Sequence, residues 1–110
     1  MEDKLEEIFS LQKGLTKMMN LDRYPDDVEG SVAALCTAMI HEAVELQRKT
    51  NLKWWKKPTE FNQVEAREEL GDIWHFLIQA SLELGLTPDD ILKEYQRKNE
   101  INRQRQKDGY

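Results

Sequence analysis

The chain has 110 residues, 34% charged and 39% apolar, with five glycines and three prolines. That length and balance predict a single soluble domain over residues 1–110 with one modest core, and favour a compact helical protein over a disordered chain or an all-β fold. A net charge of −5 and a lone cysteine, Cys36, argue against a nucleic-acid surface, a disulfide framework and a cysteine-based zinc site.

Helical spacing of Leu5, Ile8, Phe9, Leu11 or Leu15, and Met18 or Met19 predicts a first helix over about residues 3–19. The polar stretch "NLDRYPDDVEGS", broken by Pro25 and Gly30, ends it. Ser31 is the predicted N-cap of a second helix running to about Thr50. "NLKWWKKPTEFN", with Pro58 as breaker, leads to a third helix from about Asn62 to Leu84, which Gly85 stops. "TPDD" opens the fourth, with Thr87 as N-cap, Pro88 at the first helical position and two aspartates at the positive end of the dipole. It runs through Ile91, Leu92 and Tyr95 to about Arg105. No segment alternates with period two, so the expected fold is all-α, a compact four-helix antiparallel bundle. A bundle this small buries more of its surface by pairing with a second chain, so an oligomer is expected.

No apolar run approaches the roughly 18 residues that span a bilayer. The acidic start "MEDKLEEIF" is no signal peptide, so no membrane partner is expected and the cytoplasm is the expected compartment. Charge is unevenly placed. Residues 97–107, "RKNEINRQRQK", carry five positive charges and one negative, which leaves the rest of the chain at −9. This run is either a solvated tail or a basic strap beside an acidic site.

The second helix contains an anomaly. Projected at about 100° per residue, Leu35, Met39 and Leu46 share one line, and Glu42 falls almost on it with Glu45 beside it. The third helix repeats the pattern. Its apolar line, a candidate core face, holds Leu70, Ile73, Trp74, Leu77 and Leu84, with Glu69 at its edge and Asp72 one turn further on, displaced toward solvent. Each helix thus carries a carboxylate pair at i, i+3 on one face. Antiparallel packing of the two would gather four carboxylates at partial burial, at several kcal/mol per unpaired buried charge. Divalent cations remove that cost, and an all-oxygen donor set suits Mg²⁺, or Mn²⁺ as a substitute. The competing reading is a set of surface carboxylates on Glu- and Lys-rich helices. Only Asp72 and His75 form the carboxylate-x-x-His element that a di-iron bundle needs on two helices, so His75 is read as a hydrogen-bonding group near the site. Gly71 lies between the two acidic positions and serves either helix packing or the approach of a ligand.

"EAVE" (42–45) followed by "ELGD" (69–72) resembles the Glu-x-x-Glu … Glu-x-x-Asp pattern of the all-α nucleoside triphosphate pyrophosphohydrolases, which include the MazG-like enzymes and the dimeric dUTPases. "KWWKK" (53–57), "DIWHF" (72–76) and "YQRKNEINRQRQKDGY" (95–110) are similar to stretches of the dimeric dUTPase branch, as is "LQKGLT" (11–16), with Thr16 where that branch has Asn. The resemblance implies Mg²⁺-dependent hydrolysis of a deoxynucleoside triphosphate between its α and β phosphates, with dUTP the first substrate and dCTP or a modified nucleotide the alternative. It implies Glu42, Glu45, Glu69 and Asp72 as metal ligands and catalytic residues, with Glu42 the candidate to orient or deprotonate the attacking water. Lys57, Lys98, Arg103 and Arg105 become phosphate-binding candidates. Gln12, Trp54, Trp55, His75, Asn99 and Asn102 become candidates for base and sugar, the tryptophans equally serving as interface anchors. A homodimer or homotetramer is the implied assembly. The contrasting class is a non-catalytic helical interaction module whose acidic pairs bind a basic partner.

Overall fold

The computed structural model describes residues 3–109, and these form four helices with no strand among them. Helix α1 spans Lys4–Met18 and starts at Asp3, whose carboxylate accepts from the Leu5 and Glu6 amides at 3.0 and 3.1 Å. Helix α2 spans Val28–Gln47 and begins one turn before the expected Ser31. Asp27 is its cap, accepting from the Gly30 amide at 3.0 Å. A Cβ on Gly30 would lie 2.5 Å from Asp27 Oδ1, so the glycine that reads as a breaker is what admits this cap. Ser31 is instead buried, its hydroxyl donating to the Pro25 carbonyl at 3.1 Å.

Helix α3 spans Gln63–Glu83, capped by Asn62. It stops as expected at Gly85, whose φ of +73° lets the Leu86 amide reach back to the Ser81 carbonyl and the Gly85 amide to Leu82. Helix α4 spans Pro88–Lys107 behind a complete capping box. Asp90 Oδ2 accepts from the Thr87 amide at 2.9 Å, a bond that holds its carboxyl below the usual range.

Helices α2 and α3 pack antiparallel, Lys49 pairing with Glu65 and Glu42 lying beside Glu69 and Asp72. Helix α1 lies along α3 in the same sense, Gln12 meeting His75 and Thr16 meeting Gln79. Among the described residues, Phe9, Leu35, Ala66, Ile78 and Ala80 are the buried apolar ones. The expected apolar line of α3 is not in this core. Leu70, Trp74, Leu77 and Leu84 are each more than two-fifths exposed, because α3 meets α1 through His75 and Gln79 and meets α2 through Glu69 and Asp72, which lie on another side of the helix.

Helix α4 has no buried residue and packs on α1 alone, where Leu86–Asp89 face Phe9 and Lys13. The radius of gyration is accordingly 17.4 Å, against about 13 Å for a closed domain of this length. Among the described residues no helix is long and apolar enough to cross a membrane.

Candidate active site

At the α2–α3 seam, Glu42, Glu69 and Asp72 each place a carboxylate oxygen within 4.8 Å of the others. Glu42 and Glu69 are half-buried and Asp72 is exposed. Like charges at that spacing repel by about 1 kcal/mol per pair in bulk water and about 3 kcal/mol at the polarity of a half-buried surface. Among the described residues no lysine, arginine or histidine pairs with Glu42, Glu69 or Asp72 to offset this; His41 pairs with Glu45, and Lys49 with Glu65. Three unpaired carboxylates converging from two helices form an all-oxygen donor set that fits a hard divalent cation. Glu45 stands outside the trio, with an oxygen 3.4 Å from His41 Nε2.

The α1–α3 seam is built in the opposite way. His75 Nδ1 lies 2.9 Å from Gln12 Oε1, and Gln12 Nε2 donates to Gln79 Oε1 at 3.2 Å. Thr16 donates to the same Gln79 oxygen at 2.8 Å, and Gln79 Nε2 donates to Glu83 Oε1 at 2.9 Å. Tyr24 closes the chain, donating to Glu83 Oε1 at 2.7 Å. Burial and the adjacent carboxylate both push the Tyr24 phenol above its ordinary pKa, which keeps it a donor. Gln12 and Gln79 are buried, and no buried side-chain polar atom among the described residues lacks a partner.

Two cavities flank this chain of bonds. One of 330 Å³ lies between α1 and α3 and includes Ile8, Gly71, Trp74 and Ile78. The other, of 230 Å³, is lined by Leu35 of α2, Phe76 of α3, Leu15 and Thr16 of α1, and Tyr24. His75 and Gln12 line both. Only the second is bordered by both helices that carry the acidic trio, with Phe76 one turn beyond Asp72.

The remaining candidates fall in two places. In the α2–α3 connection, Lys57 joins Arg48, Lys53 and Lys56 around a concavity of 290 Å³. The concavity is braced by two 2.9 Å bonds between Asn51 and Thr59. Trp54 and Trp55 sit in the same connection as an edge-to-face pair with ring centres 4.6 Å apart, largely exposed and lining neither cavity beside His75. Lys98, Asn99, Asn102, Arg103 and Arg105 lie on exposed α4, which does not pack on α2 or α3. Arg103 Nε donates to Asn99 Oδ1 at 2.9 Å. The fold therefore gathers three of the four acidic candidates, joins Gln12 to His75, and leaves the α4 group away from its own chain's trio.

Sequence reasoning passed over Tyr24, Gln79 and Glu83, and also Arg48 and Lys53. A signal for two of them was present: His75, Gln79 and Glu83 recur every fourth residue, one face of a helix.

The sequence profile of the dUTPase family matches residues 4–88 and 78–110, nearly the whole chain. The chain belongs to the dUTPase family. It thereby falls in the all-α nucleoside triphosphate pyrophosphohydrolase superfamily. The chain is also 41% identical over 49 residues to a dCTP pyrophosphatase of Enterobacteria phage T4. That match covers 44% of this chain and 29% of the phage protein, so the chain spans less than a third of this relative's length. No solved structure is significantly similar to this dUTPase-family chain.

Proposed function

We propose that this chain is a cytoplasmic hydrolase of pyrimidine deoxynucleoside triphosphates, cleaving between the α and β phosphates to give the monophosphate and diphosphate. The observation that carries this is the trio Glu42, Glu69 and Asp72, convergent and without a cationic partner in a chain of the dUTPase family. Those carboxylates would hold Mg²⁺ or Mn²⁺, and Glu45 completes the set by exchanging its pairing with His41. Bound there, the cation supplies neutralisation of the phosphates and acidification of a water. Half-buried Glu42 orients the attacking water or takes its proton. Arg48, Lys53 and Lys57, beyond the end of α2, meet the outer phosphates. The base enters the 230 Å³ cavity beside His75.

The family description favours dUTP. The phage relative's name favours dCTP as a second reading. Release of diphosphate, detected as phosphate after coupling to a pyrophosphatase, across a nucleotide panel with Mg²⁺ decides between them. Hydrolysis of none of the panel overturns both.

Two copies make the functional unit in this proposal. The chain exposes 9384 Å², whereas a closed 13.0 kDa monomer exposes about 6,300 Å², an excess of roughly 3,000 Å². Over two chains that excess comes to about 6,000 Å², at the upper end of what obligate homodimers bury. The stripe Leu70, Trp74, Leu77 and Leu84 supplies an apolar face for it. In the pair, α4 reaches the partner's site, bringing Lys98, Arg103, Arg105, Asn99 and Asn102 to the nucleotide that their own chain holds out of reach.

A further inference from the structure

The chain of bonds along α1 and α3 has a direction, and Glu83 imposes it. A carboxylate only accepts. Gln79 must therefore turn its Nε2 toward Glu83, at 2.9 Å, and its Oε1 toward Gln12 and Thr16. Gln12, facing an acceptor, must in turn present Nε2 to Gln79, which leaves its Oε1 against His75 Nδ1 at 2.9 Å. That atom of the neutral imidazole then has to carry the proton, and Nε2 keeps its lone pair. Tyr24, donating to the same Glu83 oxygen at 2.7 Å, cannot reverse the order, because it adds a donor where one acceptor already sits. Thr16 is indifferent: its hydroxyl also reaches the Gln12 carbonyl at 2.9 Å and can accept or donate toward Gln79. Only Glu83 breaks the tie.

The far end of the relay opens on the two cavities. His75 is exposed, its ring lines both, and its Nε2 has no partner among the described residues. Gln12, by contrast, is 7% exposed and uses both its amide atoms within the chain.

We propose that Glu83, acting through Gln79 and Gln12, locks His75 as the Nδ1–H tautomer, so that Nε2 is an acceptor reserved for an N–H donor on the base. Gln12 is then a positioning residue and not the group that reads the base. Glu83, two helical turns from His75, is a specificity-setting positioning residue that touches no substrate. This rests on the proposed nucleotide site for its substrate consequence, while the tautomer stands on the relay alone.

The first test needs no substrate. In the His41→Gln protein, His75 is the only imidazole, and its nitrogen chemical shifts in the neutral ring report the tautomer. The relay predicts protonated Nδ1, opposite to the Nε2–H preference of free histidine in water. Finding Nε2–H in this protein overturns the proposal. Glu83→Lys replaces the acceptor by a donor and is expected to reverse both amides and the tautomer, a cation at the C-terminal end of α3 being compatible with the helix dipole. A folded Glu83→Lys protein with an unchanged tautomer overturns it. Should that variant not fold, Gln79→Met cuts the relay midway and must return His75 to the free preference; retention of Nδ1–H there overturns it too.

The second test reads the acceptor. Whichever of dUTP and dCTP is hydrolysed, its N-methylated form (3-methyl-dUTP or N4,N4-dimethyl-dCTP) is expected to lose at least tenfold in kcat/KM. His75→Phe is expected to treat parent and methylated forms alike. A methylated substrate processed as well as its parent by the unaltered enzyme overturns the acceptor role. Failure to hydrolyse any nucleotide overturns the proposed function, with the tautomer result still decided by the first test.

Discussion

The two seams of α3 are made of similar material and behave oppositely. Along α1, every buried polar side chain has an internal partner, from His75 through Gln12 and Gln79 to Glu83 and Tyr24. Along α2, Glu42, Glu69 and Asp72 converge with no partner. A satisfied seam holds shape, since breaking it strands donors and acceptors. A seam of unpaired like charges holds potential for a ligand of opposite sign, and its cost to the empty protein becomes affinity once that ligand binds. One helix serves both purposes because its faces point to different neighbours.

The contrast can be broken first at the acidic seam. Glu69→Gln is expected to lower dNTP hydrolysis by two to three orders of magnitude, in keeping with loss of a group that stabilises transition-state charge. The same change is expected to raise the melting temperature of the metal-free protein slightly and to abolish the rise that Mg²⁺ produces in the unaltered chain. A melting temperature indifferent to Mg²⁺ in both would sink the cation reading. Next in size is the crossing of α4: Glu69→Gln and Arg105→Ala proteins, each poorly active, are expected to regain activity on mixing, because one of the two sites in a mixed pair is whole. No gain on mixing places Arg105 at its own chain's site or at none.

At the satisfied seam the expected effects are energetic. Gln79→Ala takes one partner each from Gln12 Nε2 and Glu83 Oε1 and is expected to cost roughly 1–3 kcal/mol, measured by urea unfolding. Leu77→Glu, on the open stripe and lining neither cavity, is expected to leave that seam intact and shift sedimentation from two copies to one. The smallest effect concerns Tyr24. Its pKa is raised in the folded state, so its contribution is complete below the ordinary phenol value of about 10 and is lost as pH rises through the folded value. Tyr24→Phe is therefore expected to flatten the loss of stability above about pH 10, and an unchanged alkaline midpoint would show that the Glu83 contact carries no such linkage.

The helices were legible from residue chemistry because their signals are local. Thr87, Pro88 and Asp90 announce α4 and the capping box is there; Gly85 ends α3 with the positive φ that only glycine adopts freely. Ser31 misled because an N-cap is chosen by geometry among several eligible side chains, and Asp27 with the bare Gly30 offered the better one. Glu42, Glu69 and Asp72 were legible as a set, since i, i+3 spacing on facing helices survives any reasonable packing. Glu45 was drawn into the set by the same spacing, yet its carboxylate reaches back one turn to His41 on its own helix.

Sequence alone thus determined what a turn of helix can decide: four helices, the Thr87 cap and the Gly85 stop, and a concentration of carboxylates that asks for a cation. Tertiary structure decided which faces meet. It turned α3 so that Ala66, Ile78 and Ala80 are covered while Leu70, Trp74 and Leu77 stay open, and it held α4 off α2 and α3. It also set four polar side chains in a row whose order runs from a carboxylate to an imidazole. The reason is one of range. Capping and periodicity act over three or four residues, whereas the direction of the Glu83 relay exists only once α1 lies against α3, bringing Gln12 to residues 63 and 67 positions away.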